Sequence, residues 1–217
     1  MVFGFGKGKQ ETKAAAPAPT PAPVQAAAKP VAPGVASAAP AAASSIQRGW
    51  MPGQMQDWKF TVNKVIEHAH INHGSREVVT RSVEGPIVRS NYSELYWRAR
   101  KCSNALLADG VQKGDRIATL AWNTQRHIET WYGTMCIGAV LHTLNPRLFP
   151  EQIAWIINHA EDTHVFYDIT FQPIIEAIKD KVPSVKHWIV LTDAAHKPQT
   201  TMNVRTYEEY IAGQSTD

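Results

Sequence analysis

Residues 116 to 162 read RIATLAWNTQRHIETWYGTMCIGAVLHTLNPRLFPEQIAWIINHAED, a short apolar run followed by an amphipathic segment, twice over. The alternation continues to residue 191 and constrains the fold more than any other feature. Strands are expected at 117–122, 139–144, 164–168 and 187–191. Helices fall between them: from Asn123-Thr124 to about Ile137, from Pro150 to Glu161, and from Pro173 to Lys181. Apolar runs of this length separated by helices mark strands covered on both faces. Right-handed crossovers then build a doubly wound, mostly parallel α/β sheet with flanking helices.

Upstream, a helix is predicted over 57–73, with Asp57 as N-cap and an apolar stripe of Phe60, Val62, Val65, Ile66 and Ala69. Gly74 closes it. The β-rich runs 77–82 and 87–92, separated by Val83-Glu84-Gly85-Pro86, predict a small hairpin. Asn91 and Glu94 form a capping box for a helix carrying Leu95, Ala99, Cys102 and Leu106 at helical spacing. Asp109-Gly110 ends that helix. After Leu191 only Thr206 to Ala212 reads as a further short helix.

The first 49 residues read differently. From 14 to 45 they are almost wholly Ala, Pro, Val and Ser, with little area to bury and few free donors, so a disordered tail or linker is expected over 1–49. The folded part is expected over 50–217. Lys7, Lys9, Lys13, Lys29 and Arg48 against Glu11 give the tail +4, so the formal +3 of the whole chain leaves the remainder at −1. The basic balance therefore belongs to the tail and indicates no nucleic-acid partner. Phe3 and Phe5, set among glycines before the lysines, read either as a docking peptide for another protein or membrane surface, or as a solubilising tail.

Cys102 and Cys136 fall at apolar helix positions and are expected to be buried thiols in a reducing compartment. No C-x-x-C occurs, and the nine histidines do not alternate with carboxylates at ligand spacing, so no metal site is expected. His127, His159 and His164 have no serine or cysteine nucleophile nearby in sequence. No run of 18 apolar residues exists, so no transmembrane segment is expected. The amino terminus lacks the apolar core of a secretory signal and the arginines of a mitochondrial presequence, which makes the cytoplasm the expected location.

Three stretches carry a family resemblance: MPGQMQDWKFTVNKVIEHAHINHGSREVV, YSELYWRARKCSNALLADGVQKGDRIATLAWN and IGAVLHTLNPRLFPEQIAWIINHAED. The second contains Gly110-Val111-Gln112-Lys113-Gly114-Asp115-Arg116-Ile117-Ala118. In order and spacing the three resemble the amino-terminal subdomain of the adenylate-forming (AMP-binding) superfamily, in particular its medium- and long-chain fatty acyl-CoA synthetases. The resemblance implies a parent reaction in which ATP and magnesium activate a fatty acid as its adenylate and CoA then displaces AMP. It also implies a Ser/Thr/Gly-rich phosphate loop, an aromatic-x-x-Thr-Glu segment and a carboxyl-terminal lysine, none of which this sequence contains. The chain is thus expected to be a truncated ligase that binds no cofactor and catalyses neither half-reaction alone. A non-catalytic module pairing with itself, a full-length synthetase or a complementing half is the alternative.

No catalytic residue is assigned. Asn123, His142, Asn145 and Arg147 lie at or near the carboxyl ends of expected strands, where ligands of such folds collect. They read either as a wall of an acyl or nucleotide site or subunit contact, or as loop caps. The resemblance implies that in some relatives the CoA nucleotide touches a segment comparable to 167–177, where an arginine often meets its 3′-phosphate; no arginine lies there in this sequence, which argues against a CoA contact. Trp122, Trp131, Tyr132, Trp155 and Phe166 are expected to be ordinary core.

Overall fold

The hairpin and the regular alternation each form where their side-chain period requires, in a computed structural model that describes residues 58–217. The tail expected over 1–49 and the N-cap Asp57 lie outside the described residues. Helix α1 runs Asn63–His73 with Val62 as a cap that offers no side-chain acceptor. Its expected stripe is buried only at Ile66; Phe60, Val62 and Val65 are exposed. The residues are spaced for one face, but α1 rests on α2 and α3 rather than on the sheet, and those contacts enclose only Ile66.

Strands β1 (Glu77–Arg81) and β2 (Ile87–Asn91) pair antiparallel. Gly85 closes their turn at φ 116°, with its N–H donating to Ser82 O. Helix α2 (Tyr92–Ala108) follows at once because Asn91 Oδ1 accepts the Glu94 N–H at 2.9 Å, half of the expected capping box. Leu95, Ala99, Cys102 and Leu106 are buried as the spacing predicts. Gly110, at φ 87°, ends the helix in the left-handed conformation that side chains resist.

The parallel sheet comprises β3 (Arg116–Leu120), β4 (Val140–Thr143), β5 (His164–Tyr167), β6 (His187–Val190) and β7 (Val204–Thr206), in spatial order β4-β3-β5-β6-β7. Its crossovers carry α3 (Gln125–Cys136), α4 (Pro150–Ala160) and α5 (Gln172–Ile178), and α6 (Tyr207–Ile211) follows β7. Alternate strand residues go to opposite faces. Ala118, Leu120, Val165 and Tyr167 join Ile153, Ile157, Ile175 and Ile178 of α4 and α5. Ile117, Phe166 and Ile189 join Cys102, Leu106, Tyr207 and Tyr210 of α2 and α6. The sheet is therefore doubly wound, as expected.

The structure corrects several expectations. β4 is an edge strand, with Val140 and Thr143 exposed, so it is not covered on both sides. β7 was not read from the sequence: three residues are too few to show a period. Trp122, Trp131 and Trp155 are 49%, 43% and 64% exposed and thus not core, while Phe166 is fully buried. Trp155 turns outward because α4 buries Ile153, Ala154 and Ile157 instead, and Trp131 because α3 packs on α2 through its other face. There Gly133 permits close approach: a Cβ at this position would lie 2.8 Å from Cys102 Cβ.

Cys102 is buried as expected, whereas Cys136 is only half-buried; burial pushes the Cys102 thiol up to about 12 and the Cys136 thiol up to about 11. Neither is expected to react with an aromatic disulfide reagent in the native chain at pH 8. Both should titrate promptly in denaturant, and fast labelling without denaturant would contradict the packing of α3 on α2.

Candidate functional site at the carboxyl edge

In the order β4-β3-β5-β6-β7, the chain leaves β3 in one direction for β4 and later returns to its other side for β5. The switch point of such a sheet opens a crevice at the strands' carboxyl ends. Here it is bounded by residues 121–125 after β3, Asp168 after β5, and Leu191 and Thr192 after β6. Thr124 caps α3 by accepting the His127 N–H, and Asp168 Oδ2 accepts the Trp122 N–H at 2.6 Å. The hairpin turn and the start of α6 close the crevice, leaving a cavity of about 140 Å³ lined by Ser82, Gln125, Arg126, Asp168 and Glu208, among others.

A charge network fills this edge. Arg98 of α2 donates from Nε to Glu129 Oε1 of α3 at 2.8 Å and from Nη2 to Glu208 Oε1 of α6 at 2.9 Å. Arg126 donates from Nε to the same Glu208 oxygen at 2.8 Å and from Nη1 to Glu84 Oε1 in the hairpin turn at 2.7 Å. Thr192 also donates to Glu84 Oε1, and Gln125 donates to Glu129 Oε1. Five separate elements are thus tied at one point.

The electrostatics follow from burial and pairing. Burial works against the Glu84 carboxylate, but the Thr192 hydroxyl, its own backbone and Arg126 outweigh it and hold its pKa below the usual value. Burial likewise opposes the Glu208 carboxylate, and Arg98 and Arg126 more than reverse this. Glu129 is fully buried; burial raises its pKa despite Arg98. Desolvation opposes the charge on Arg98, yet Glu129 and Glu208 raise its pKa overall. Both pKa values of the Arg98–Glu129 pair thus rise: pairing favours the charged guanidinium, whereas burial of the wholly enclosed Glu129 carboxylate outweighs the same pairing. Burial pushes the Asp168 carboxyl up to about 6, against the Trp122 N–H.

Asp168 yields a pH prediction. Between 3.8 and about 6 the folded state binds the proton that the unfolded state has released, so stability falls as pH rises through that window and is level above it. The contribution is at most about 3 kcal/mol. Asp168→Asn keeps an acceptor for the Trp122 N–H, and its stability is expected to gain about 1–2 kcal/mol on wild type between pH 4 and pH 8. Parallel urea titrations at both pH values check this; a constant difference between the two proteins would contradict it.

The residues singled out from sequence are not gathered here. Asn123 is exposed in the loop after β3. Asn145 and Arg147 are exposed after β4, where Asn145 Oδ1 accepts the Arg147 N–H at 3.0 Å, a loop-capping bond. His142 does not face the crevice: its Nδ1 meets Asp162 Oδ2 at 2.8 Å, and Asp162 precedes β5 at the amino side of the sheet. The hydrogen bond to Asp162 raises the His142 pKa, while burial raises that of Asp162 against the same contact. His127 spans Trp122 O and Thr119 Oγ1, and His159 stacks on Trp155. The residues that do meet, from 84 to 208, were missed because no local spacing connects them. One signal was present: α3 buries Gln125, Glu129, Thr130 and Thr134 and exposes Ile128 and Trp131, an inverted helix whose polar face must find polar partners inside.

Two groups of metal-competent side chains also come together among the described residues, Asp109 with His164 and His187, and Glu84 with Asp193 and His196. The sequence reading expected none, since their members lie up to 112 residues apart.

The crevice does not fit a nucleotide. Its two arginines are engaged by carboxylates, and Glu84 Oε2, Gln125 Oε1, Glu129 Oε2 and Asp168 Oδ1 are buried acceptors without a donor. A polyphosphate needs donors and positive charge. The cavity of about 140 Å³ is also small beside the usual ligand pocket of about 300–1,000 Å³.

Fold and edge together define an open, doubly wound α/β scaffold braced at its switch point. The profile of the AMP-binding enzyme family matches residues 66–213, and the chain belongs to that family. It is 42% identical over 168 residues to the medium-chain-fatty-acid–CoA ligase of Ectopseudomonas oleovorans, covering 77% of this chain and 31% of that protein. It is 40% identical to the 3-methylmercaptopropionyl-CoA ligase of Ruegeria lacuscaerulensis over the same shares. The crystal structure of the anthranilate CoA ligase AuaEII with anthranoyl-AMP superimposes with a TM-score of 0.63 at 20% identity, covering 74% of this chain and 30% of that one, a likeness of fold. The chain spans under a third of the length of these curated relatives. No helix among the described residues is long and apolar enough to cross a membrane.

Proposed function

We propose that this chain is the amino-terminal scaffold of an AMP-forming ligase that joins a medium-chain carboxylic acid to CoA. The observation that carries the reading is the 42% identity to a medium-chain-fatty-acid–CoA ligase over 77% of the chain. In the whole ligase, the carboxylate would take the AMP moiety of ATP with release of pyrophosphate, and the CoA thiol would then displace AMP to give the thioester. What these residues contribute is support. Arg98, Arg126, Glu84, Glu129 and Glu208 lock the hairpin, α2, α3 and α6 to the carboxyl edge, which presents a rigid rim to the rest of the fold. Adenylation then requires the remaining two-thirds, supplied in the same polypeptide or as a complementing half.

The test mixes the purified chain with the separately expressed remainder of the Ectopseudomonas oleovorans ligase and follows ATP–pyrophosphate exchange with an eight-carbon fatty acid. Exchange is expected from the mixture and from neither part alone. A stable complex of the two parts that shows no exchange would overturn the reading.

A further inference from the structure

The hairpin turn and the loop after β6 meet at the rim of the crevice. Glu84, Asp193 and His196 each offer a ligand atom there, and those atoms lie within 4.8 Å of one another. Glu84 is the buried member, its side chain 3% exposed. Its Oε1 is taken by Arg126 and Thr192, while Oε2 is buried and makes no hydrogen bond of ordinary geometry. A buried carboxylate oxygen left unmatched is costly and calls for a cation or donor. Asp193 and His196 stand at the open side, about half exposed, with His196 Nδ1 2.8 Å from Asp193 Oδ1.

We propose that Glu84, Asp193 and His196 form a divalent-metal site that fastens the hairpin to the carboxyl edge of the sheet. One imidazole nitrogen with two carboxylate oxygens suits zinc, water completing a tetrahedron, and is a poor set for magnesium. Bonds of about 2.0–2.2 Å place tetrahedral ligands about 3.3–3.6 Å apart. Closing from 4.8 Å to that spacing needs only side-chain rotation of the exposed Asp193 and His196. Turning His196 toward the ion would exchange its bond with Asp193 for two metal bonds. The other donor group is a weaker candidate, because the Arg205 guanidinium bonds two of its three members, Asp109 and His187, whereas Arg126 occupies only Oε1 of Glu84.

The experiment is equilibrium dialysis of the untagged chain against zinc, with magnesium in parallel and the melting temperature followed in each. One zinc per chain is expected, with a higher melting temperature and no saturable magnesium binding. His196→Ala and Asp193→Asn, both at exposed positions, are expected to weaken zinc binding by at least about tenfold. Their far-UV circular dichroism and metal-free melting should match wild type. His187→Ala, in the other donor group, should bind as wild type does. Absence of saturable zinc binding, or binding that survives His196→Ala and is lost in His187→Ala, would overturn the proposal.

Discussion

Arg98→Ala is expected to cost about 3–5 kcal/mol of folding stability, a large share of what holds a domain of this size. The reason is Glu129. It is fully buried, one oxygen receives Arg98 and Gln125, and the other has no donor. Without Arg98 the carboxylate must remain charged in an apolar enclosure or take up a proton, and either is expensive. Glu208 suffers less because Arg126 still holds it. If the loss comes from the stranded carboxylate, Arg98→Met combined with Glu129→Gln should recover most of it. Urea denaturation of the two single variants and the double variant measures the coupling. A loss under about 1 kcal/mol for Arg98→Ala would place the pair among surface salt bridges and contradict its burial.

Phe166→Ala is expected to be of similar size, about 3–5 kcal/mol, by a different route. Phe166 is fully buried on β5, the central strand, and meets Tyr210 edge-on at a ring separation of 5.6 Å. Removing it opens a cavity between the sheet and the α2–α6 layer that neither strand neighbour can fill. It should also loosen α6, whose Tyr207 and Tyr210 pack on the same ring. Hydrogen exchange in α6 should therefore quicken more than in α4, which lies on the opposite face. Equal quickening in both would contradict the two-layer core. By comparison, Trp155→Ala should change stability little, because that ring is 64% exposed.

The fold was legible where a period repeats. Leu95, Ala99, Cys102 and Leu106 marked α2. The runs around Ile117, Val165 and Ile189 marked the buried strands, and Asp109-Gly110 marked a helix end. Short or edge elements escaped: β7 has three residues, and β4 looks apolar although its outer side is open. The large aromatics misled for a related reason. Trp122, Trp131 and Trp155 follow helix and loop positions that local pattern cannot orient.

The site was far less legible. Asn123, Asn145 and Arg147 follow strand ends, as the topology requires, yet all three are exposed loop residues. The groups that meet at the switch point come from positions 84, 98, 126, 129, 168 and 208, and only the folded crossovers join them. A buried ion-pair network has no period of its own. Its single local trace is the polar inner face of α3.

The switch point of this chain is a charge brace whose engaged arginines and unmatched carboxylate oxygens leave no seat for a nucleotide. Calorimetric titration of the chain with magnesium-ATP, beside ATP–pyrophosphate exchange with an eight-carbon fatty acid, tests it most directly. No saturable ATP binding and no exchange above a heat-treated control are expected. Saturable binding weakened by Arg126→Ala, or exchange by the chain alone, would contradict it.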